Sequence, residues 1–330
     1  MDRSSLTGRD YIETSDWTTE EIDEAIAVAS ERKAKFKAGE KHHLLDDKTL
    51  FMLFLDRSTR TRNAFEAGMT QLGGHAIFLD GDKTQVAHGE SPKDMGIILS
   101  RYGHGLAIRH DLVPYEGNAW MREVARWADI PVINLQCDID HPTQTIADLM
   151  TLREHRGEDL RGLRVAVSWA FAPSYARPLS VPQGLITLLP RFGIDVTLAH
   201  PVGWELMPES LEKAKKACED GWGSLSLTNS MEEAFEGADV VYPKSWGRLG
   251  AFSDEEAAKA TAHVGWIADA KKMELTKPDS LYMHCLPADR GKEVTDEVID
   301  GPHSVVYDEA ENRMHTGKAL MALTMGGFAE

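Results

Sequence analysis

The chain has 330 residues, a hydrophobic fraction of 42% and 36 Lys+Arg against 53 Asp+Glu, for a net charge of −17. That length exceeds one ordinary core and suits two domains. The acidic balance argues against nucleic acid or an anionic membrane as the main partner, and it requires any anion site to be a local basic pocket. The opening Met1-Asp2-Arg3-Ser4-Ser5 leads into polar residues rather than a leader, and no apolar run approaches the roughly 20 residues of a membrane helix. Cys137, Cys218 and Cys285 lie far apart without metal-site spacing. A cytoplasmic protein is the expectation, and His42-His43 reads as a surface pair.

In chain order, Thr18 and Glu21 form a capping box for a first helix whose apolar face carries Ile22, Ile26 and Ala29. Strands are expected at 49–55, 75–79, 105–109 and 131–134, alternating with helices near 61–72, 92–102 and 119–127. A long helix near 142–156 starts with Pro142, a favoured first helical residue. The polar stretch Glu154-His155-Arg156-Gly157-Glu158-Asp159 ends it and marks the boundary between a first domain, 1–156, and a second, 157–309. The second half repeats the alternation, with strands at 164–170, 194–199, 239–242, 280–284 and 304–307 and helices at 182–192, 207–219 and 255–262. A last helix covers 310–324. This pattern predicts an α/β protein of two doubly wound, parallel-sheet domains.

Several segments carry chemistry. Ser58-Thr59-Arg60-Thr61-Arg62 follows the buried-strand run Leu50-Phe51-Met52-Leu53-Phe54-Leu55 and opens a helix pattern. A strand feeding a helix start is a place for phosphate: free N–H groups and the helix dipole favour an anion, and Arg binds phosphate oxygens bidentately. The alternative is an Arg-rich helix start on a solvated face. Arg109 ends the apolar strand Gly105-Leu106-Ala107-Ile108, pointing to the crevice at the carboxyl edge of an open sheet; an ordinary surface ion pair is the alternative. His141-Pro142-Thr143-Gln144 sits just before a helix start, so His141 and Gln144 can face one ligand. His284-Cys285-Leu286-Pro287 ends a strand, and a Cys/His nucleophile pair is disfavoured because adjacent strand residues point to opposite faces. A buried structural Cys285 is the other reading. Gly81-Asp82-Lys83-Thr84-Gln85 is a polar loop.

Three of these motifs, in this order and spacing, resemble those of the aspartate/ornithine carbamoyltransferases over nearly the whole chain. The resemblance implies that Ser58, Thr59, Arg60 and Thr61 bind the phosphate of carbamoyl phosphate, with Arg62 supporting the loop. Arg109 and Arg313 match carbamoyl phosphate ligands, the latter at the start of the last helix. His141 donates to the carbonyl oxygen, Gln144 holds the carbamoyl amide, and Cys285 and the Leu286 carbonyl contact the incoming amine and the carbamoyl group. Arg109, His141 and Thr61 form an oxyanion hole, in which one donor is typically worth about 2.7–4 kcal/mol. The first domain thus binds carbamoyl phosphate, with the C-terminal helix 310–330 packing back onto it, and the second binds the amino acceptor. A homotrimer is implied, with Lys83 or Gln85 completing a neighbouring subunit's site. The small-molecule substrates are the only partners implied, with no nucleic acid or membrane, and neither a metal nor an organic cofactor.

The resemblance departs at the acceptor. Ornithine enzymes carry Ser-Met-Gly in the second domain; here the segment reads Asp239-Val240-Val241-Tyr242-Pro243-Lys244-Ser245-Trp246-Gly247. That segment, with Pro178-Leu179-Ser180-Val181-Pro182-Gln183-Gly184 and Gln136-Cys137-Asp138-Ile139-Asp140-His141, is similar to the knotted YgeW-like branch. The similarity carries with it a trefoil knot in the second domain, with 239–250 threaded through the Pro-rich loop; knots are otherwise very rare. Lys244, Ser245, Trp246 and Arg177 are the acceptor candidates, the two cations suiting an anionic group; solvent exposure of both on a mobile loop is the alternative. Trp246 either walls the pocket or packs in the core. An ornithine-type carbamoyl transfer, a YgeW-like transfer to another acceptor in nitrogen catabolism, and a catalytically silent carbamoyl-phosphate-binding protein remain as readings. A dinucleotide dehydrogenase is disfavoured because no Gly-x-Gly-x-x-Gly follows 164–170.

Overall fold

The computed structural model describes all residues other than 112, 175–176, 251–257 and 329–330. It divides into unit 1, Met1–Met150 with Glu311–Glu330, and unit 2, Thr151–Ala310.

Unit 1 opens with α1 (Thr19–Lys37), closed by the reciprocal capping box: Thr18 Oγ1 accepts from Glu21 N, and Glu21 Oε2 accepts from Thr18 N at 2.8 Å. Four parallel strands follow, β1 (Thr49–Phe54), β2 (His75–Asp80), β3 (Gly105–His110) and β4 (Val132–Cys137), in the order β2-β1-β3-β4. Their connections carry α2 (Arg60–Gln71), α3 (Pro92–Ser100) and α4 (Gly117–Trp127), and α5 (Pro142–Arg156) follows β4. The unbroken apolar run in β1 is explained by burial on both faces of a parallel sheet. Leu50, Met52 and Phe54 join one core with Phe65, Met69 and Met321, whereas Phe51 and Leu53 join the other with Met95, Met121 and Val124. The chain leaves β1 toward β2 and β3 toward β4, so the switch point lies between β1 and β3, where ligands bind in open α/β sheets.

Unit 2 repeats the plan with β5 (Arg164–Trp169), β6 (Asp195–Ala199), β7 (Ser224–Thr228), β8 (Val240–Lys244) and β9 (Leu281–Tyr282), all parallel, in the order β7-β6-β5-β8-β9. Its helices include α6 (Ser180–Leu188), α7 (Pro208–Asp220), α8 (Met231–Phe235), α9 (Ala270–Met273) and α10 (Asp296–Ile299). Here the switch point lies between β5 and β8, so the segments after Trp169 and after Lys244 flank it. Asp239, at the opposite end of β8, accepts from Arg164 N at 2.9 Å and pairs with Lys277 at 2.7 Å, which clamps the start of the sheet.

Some local expectations need correction. Residues 304–307 are not a strand: Ser304 makes a single bridge to Tyr282, and the last helix, α11, already runs over Val306–Thr324. Val305 and Val306 are both buried, which breaks strand alternation and lets core packing override their β-propensity. The strand at 280–284 shrinks to Leu281–Tyr282. Strand β7 was not expected; Ser224-Leu225-Ser226-Leu227-Thr228 is a short, half-exposed edge whose apolar content is low. Of the expected helix 255–262, residues 255–257 lie outside the described residues, and Lys259–His263 form a 3-10 turn. His42 is buried rather than a surface residue, with Nε2 3.2 Å from Lys318 Nζ.

Candidate active site

In unit 1 the candidate residues gather at the carboxyl ends of β1, β3 and β4. The first motif occupies the turn after β1 and the first turn of α2. The N-cap Thr59 makes no side-chain cap bond and no acid stands in the first turn, so nothing from that residue competes for an anion at the helix N-terminus. Thr61 is buried and its hydroxyl accepts from Arg313 Nη2. Arg62 turns away: its guanidinium lies 3.6 Å from the Phe78 ring centroid and Nε is 3.3 Å from Glu66, so it braces α2 against β2.

Arg109 is positioned by a β-bulge. Ile108 pairs with Asn134 but Arg109 with Gln136, so the register shifts by one residue just before it. Such a shift re-aims the following side chain. Its Nη2 donates to Asp111 Oδ2 at 2.9 Å, and its buried Nε has no hydrogen-bond partner.

His141 is buried just ahead of α5, with Nδ1 3.3 Å from Thr143 Oγ1 and Nε2 3.4 Å from Arg313 Nη2. Its pKa is held well below the ordinary histidine value, first by burial and then by the positive charges of Arg313, Arg109 and Arg60. The ring is therefore neutral, and because a guanidinium only donates, Nε2 accepts from Arg313 while Nδ1–H donates to Thr143 Oγ1. Gln144 donates from Nε2 to Asp148 Oδ1 at 2.7 Å, which fixes the orientation of its amide. Arg313 lies about two turns inside α11, since that helix begins at Val306 and not near 310. The structure thus brings Arg60, Arg109, Arg313, Thr61 and His141 together in one unit, a strongly cationic spot in an acidic chain. Lys83 and Gln85 lie on an exposed loop of the same unit, and Lys83 Nζ is 3.3 Å from Asp80.

In unit 2, His284 and Cys285 lie beyond the short strand β9, so opposite strand faces are not what separates them. His284 is engaged elsewhere: Nδ1 accepts from Leu286 N at 2.9 Å and Nε2 is 3.4 Å from Glu293 Oε1. Leu286 sits at φ 53°, in the left-handed region uncommon for a branched side chain. Cys285 is 9% exposed.

The acceptor candidates sit at the carboxyl end of β8 and after β5. Lys244 is buried as the last residue of β8 and donates to Ser245 O at 2.5 Å, so the mobile-loop reading does not hold. Trp246 packs in the core; its indole N–H donates to Trp204 O at 2.8 Å, and its own carbonyl accepts from Trp169 Nε1 at 2.9 Å. Arg177 is partly exposed and pairs with Asp289 at 2.5 Å.

Two acids that organise this loop cluster escaped the sequence reading. Glu293 is fully buried; Oε1 accepts from Ser245 N and Ser245 Oγ, both at 2.7 Å, and Oε2 accepts from Asp289 N at 2.6 Å. Burial alone would raise its pKa, but His284, Lys244 and Ser245 outweigh it and hold the carboxyl well below the usual range. Glu309 accepts from Tyr242 OH at 3.0 Å and from His284 N at 2.9 Å. The only sequence signal for Glu293 was its place shortly after His284-Cys285-Leu286-Pro287.

Residues 9–154 match the model of the aspartate/ornithine carbamoyltransferase carbamoyl-P binding domain, and residues 179–324 that of the Asp/Orn binding domain. The chain is 39% identical to a putative carbamoyltransferase, YgeW, of Escherichia coli strain K12, over 93% of this chain and 87% of that one. Among solved structures, an ornithine carbamoyltransferase from Pyrococcus furiosus superposes with a TM-score of 0.88 at 36% identity, covering 98% of each chain. An acetylornithine transcarbamylase complexed with acetylcitrulline superposes with a TM-score of 0.87 at 32% identity, over 95% of this chain and 98% of that one. With both domain models matched in order along one chain and relatives of this identity over nearly its full length, the protein belongs to the aspartate/ornithine carbamoyltransferase family.

Proposed function

We propose that the protein transfers the carbamoyl group of carbamoyl phosphate to the amino group of an amino-acid-type acceptor and releases phosphate. The observation that carries this reading is that Arg313 contacts Thr61 and His141 while Arg60 and Arg109 add their positive charges around the same neutral ring. Ser58, Thr59, Arg60 and the first N–H groups of α2 take the phosphate. Arg109, Thr61 and His141 surround the carbonyl oxygen, where negative charge grows as a neutral amine attacks, and Gln144 receives the carbamoyl amide. The new C–N bond forms, the tetrahedral intermediate collapses, the C–O bond to phosphate breaks, and the departing phosphate takes the amine's proton. Catalysis is then positioning plus electrostatic stabilisation.

For the acceptor, the reading rests on unit 2. Cys285 and the Leu286 carbonyl serve the incoming amine, and the Arg177–Asp289 pair with Lys244 and Ser245 sets its selectivity. The absence of Ser-Met-Gly, with Lys244-Ser245-Trp246 in its place, favours an acceptor other than free ornithine, as does the similarity to YgeW.

The test is incubation with carbamoyl phosphate and a panel of amines and amides, with ureido products detected by mass. The panel holds ornithine, N-acetylornithine, N-succinylornithine, putrescine, aspartate, 2,3-diaminopropionate and oxamate. Citrulline would identify the ornithine reaction, and another product would name the acceptor. No product and no binding of carbamoyl phosphate would overturn the reading; binding without turnover would favour a silent binding protein.

A further inference from the structure

Arg109 does not stand alone at the switch point of unit 1. Asp111, one residue beyond β3, is 3% exposed and holds its guanidinium at 2.9 Å. Asp56, just past the neighbouring strand β1, accepts from Asp111 N at 2.8 Å, which sets its negative charge beside Asp111. Asp111 Oδ1 is buried with no hydrogen-bond partner. Among the described residues, the charged groups acting on Asp111 are Arg109 from β3 and Asp56 from the end of β1. A neighbouring negative charge disfavours a second buried carboxylate, and an orphaned buried carboxylate oxygen is costly unless it carries a proton.

Charge matching shows what this pair does. Arg60, Arg109 and Arg313 converge on His141. Set against Asp56 and Asp111, they leave one net positive charge for a phosphate group carrying two negative ones. One proton on Asp111 restores the balance. We propose that Asp111, backed by Asp56, positions Arg109 and takes up a proton from solvent when carbamoyl phosphate binds. The inference rests on the reading above that this site takes carbamoyl phosphate. The proton goes to the unpartnered Asp111 Oδ1; Oδ2 keeps its bond to Arg109 Nη2, so the guanidinium holds its orientation in both states and Nε stays available to the ligand. No covalent bond changes. Burial, together with Asp56 and against the opposing pull of Arg109, places the Asp111 pKa at about 7, where such an exchange occurs under ordinary conditions. Asp111 and Asp56 are thus positioning residues acting through Arg109.

The experiment is calorimetric titration of the full chain with carbamoyl phosphate near pH 7, in buffers of different ionisation enthalpy. Wild type is expected to take up about half a proton more than Asp111→Asn, because a group half protonated before binding becomes protonated after it. The ligand's own ionisation is common to both proteins and cancels in the difference. Asp56→Asn removes the like charge and is expected to lower uptake as well, which keeps the test available if Asp111→Asn does not fold. The affinity of wild type is expected to fall by up to about tenfold per pH unit above neutrality relative to either variant. Equal uptake in wild type and the folded variants would overturn this inference alone, whereas no binding by any of them would overturn the carbamoyl phosphate reading and this inference with it.

Discussion

Replacing Glu293 with Ala should destabilise unit 2 strongly. The carboxylate is fully buried and accepts from Ser245 N, Ser245 Oγ and Asp289 N, with His284 at 3.4 Å and Lys244 among the charges that hold it ionised. Each donor left unsatisfied in the interior costs about 1–3 kcal/mol. Removing one member of a buried charge pair costs about 3–5 kcal/mol, because the remaining charge is uncompensated. These losses share one network and do not add, so the expected cost is about 3–5 kcal/mol. For a unit spanning Thr151–Ala310, that corresponds to a fall in Tm of roughly 6–20 °C. Thermal unfolding followed by tryptophan fluorescence suits the measurement, since Trp169, Trp204 and Trp266 cluster in the same unit. The sign with pH follows from the depressed folded pKa. Glu293 stabilises the fold above the ordinary glutamate pKa of about 4.5, and that contribution is lost as pH falls below it toward the folded value. The variant should therefore lack part of the acid sensitivity of wild type, and Glu293→Gln, which keeps one acceptor, should fall between. A Tm within about 2 °C of wild type for Glu293→Ala would refute the idea that this carboxylate holds the loops after β8 and β9 together.

Other expectations are more direct. Arg60→Ala or Arg109→Ala should abolish carbamoyl transfer without unfolding the chain, as read by circular dichroism; full activity in both would remove the site from the mechanism. His315 is buried with neither ring nitrogen hydrogen-bonded, and burial with Lys318, Lys33, Lys37 and His42 lowers its pKa to about 3. Because the unfolded chain binds that proton near the ordinary histidine pKa of about 6.5, stability falls as pH drops from about 6.5 toward 3. Relative to wild type, His315→Leu should accordingly be more favourable for Tm at pH 5 than at pH 7.5, and an equal difference at both pH values would refute the buried neutral ring. If Lys83 or Gln85 completes a neighbouring subunit's site, the protein sediments as a trimer; mixing inactive Lys83→Ala chains with inactive Arg60→Ala chains should then restore part of the activity, and no recovery in mixed trimers would reject the trans role.

The sequence alone determined the α/β class, the parallel sheets and the family, because these signals are local or repeat along the chain. Burial of β1 on both faces shows as an unbroken apolar run, the Thr18–Glu21 capping box spans one helical turn, and each candidate motif is a contiguous string at a strand end. Even so, 304–307 misled, since the β-propensity of Val305 and Val306 is weak against their burial at a helix start. Only the tertiary structure decided which isolated residues meet. Arg313 reaches Thr61 and His141 across most of the chain. Lys244 is buried beside Glu293 rather than solvated, and Trp246 belongs to the core. Asp56, Asp111, Glu293 and Glu309 carry no motif or period, so in the sequence each resembles any surface acid. Their chemistry comes from burial and from neighbours brought close by strand order, and a single acidic letter carries neither.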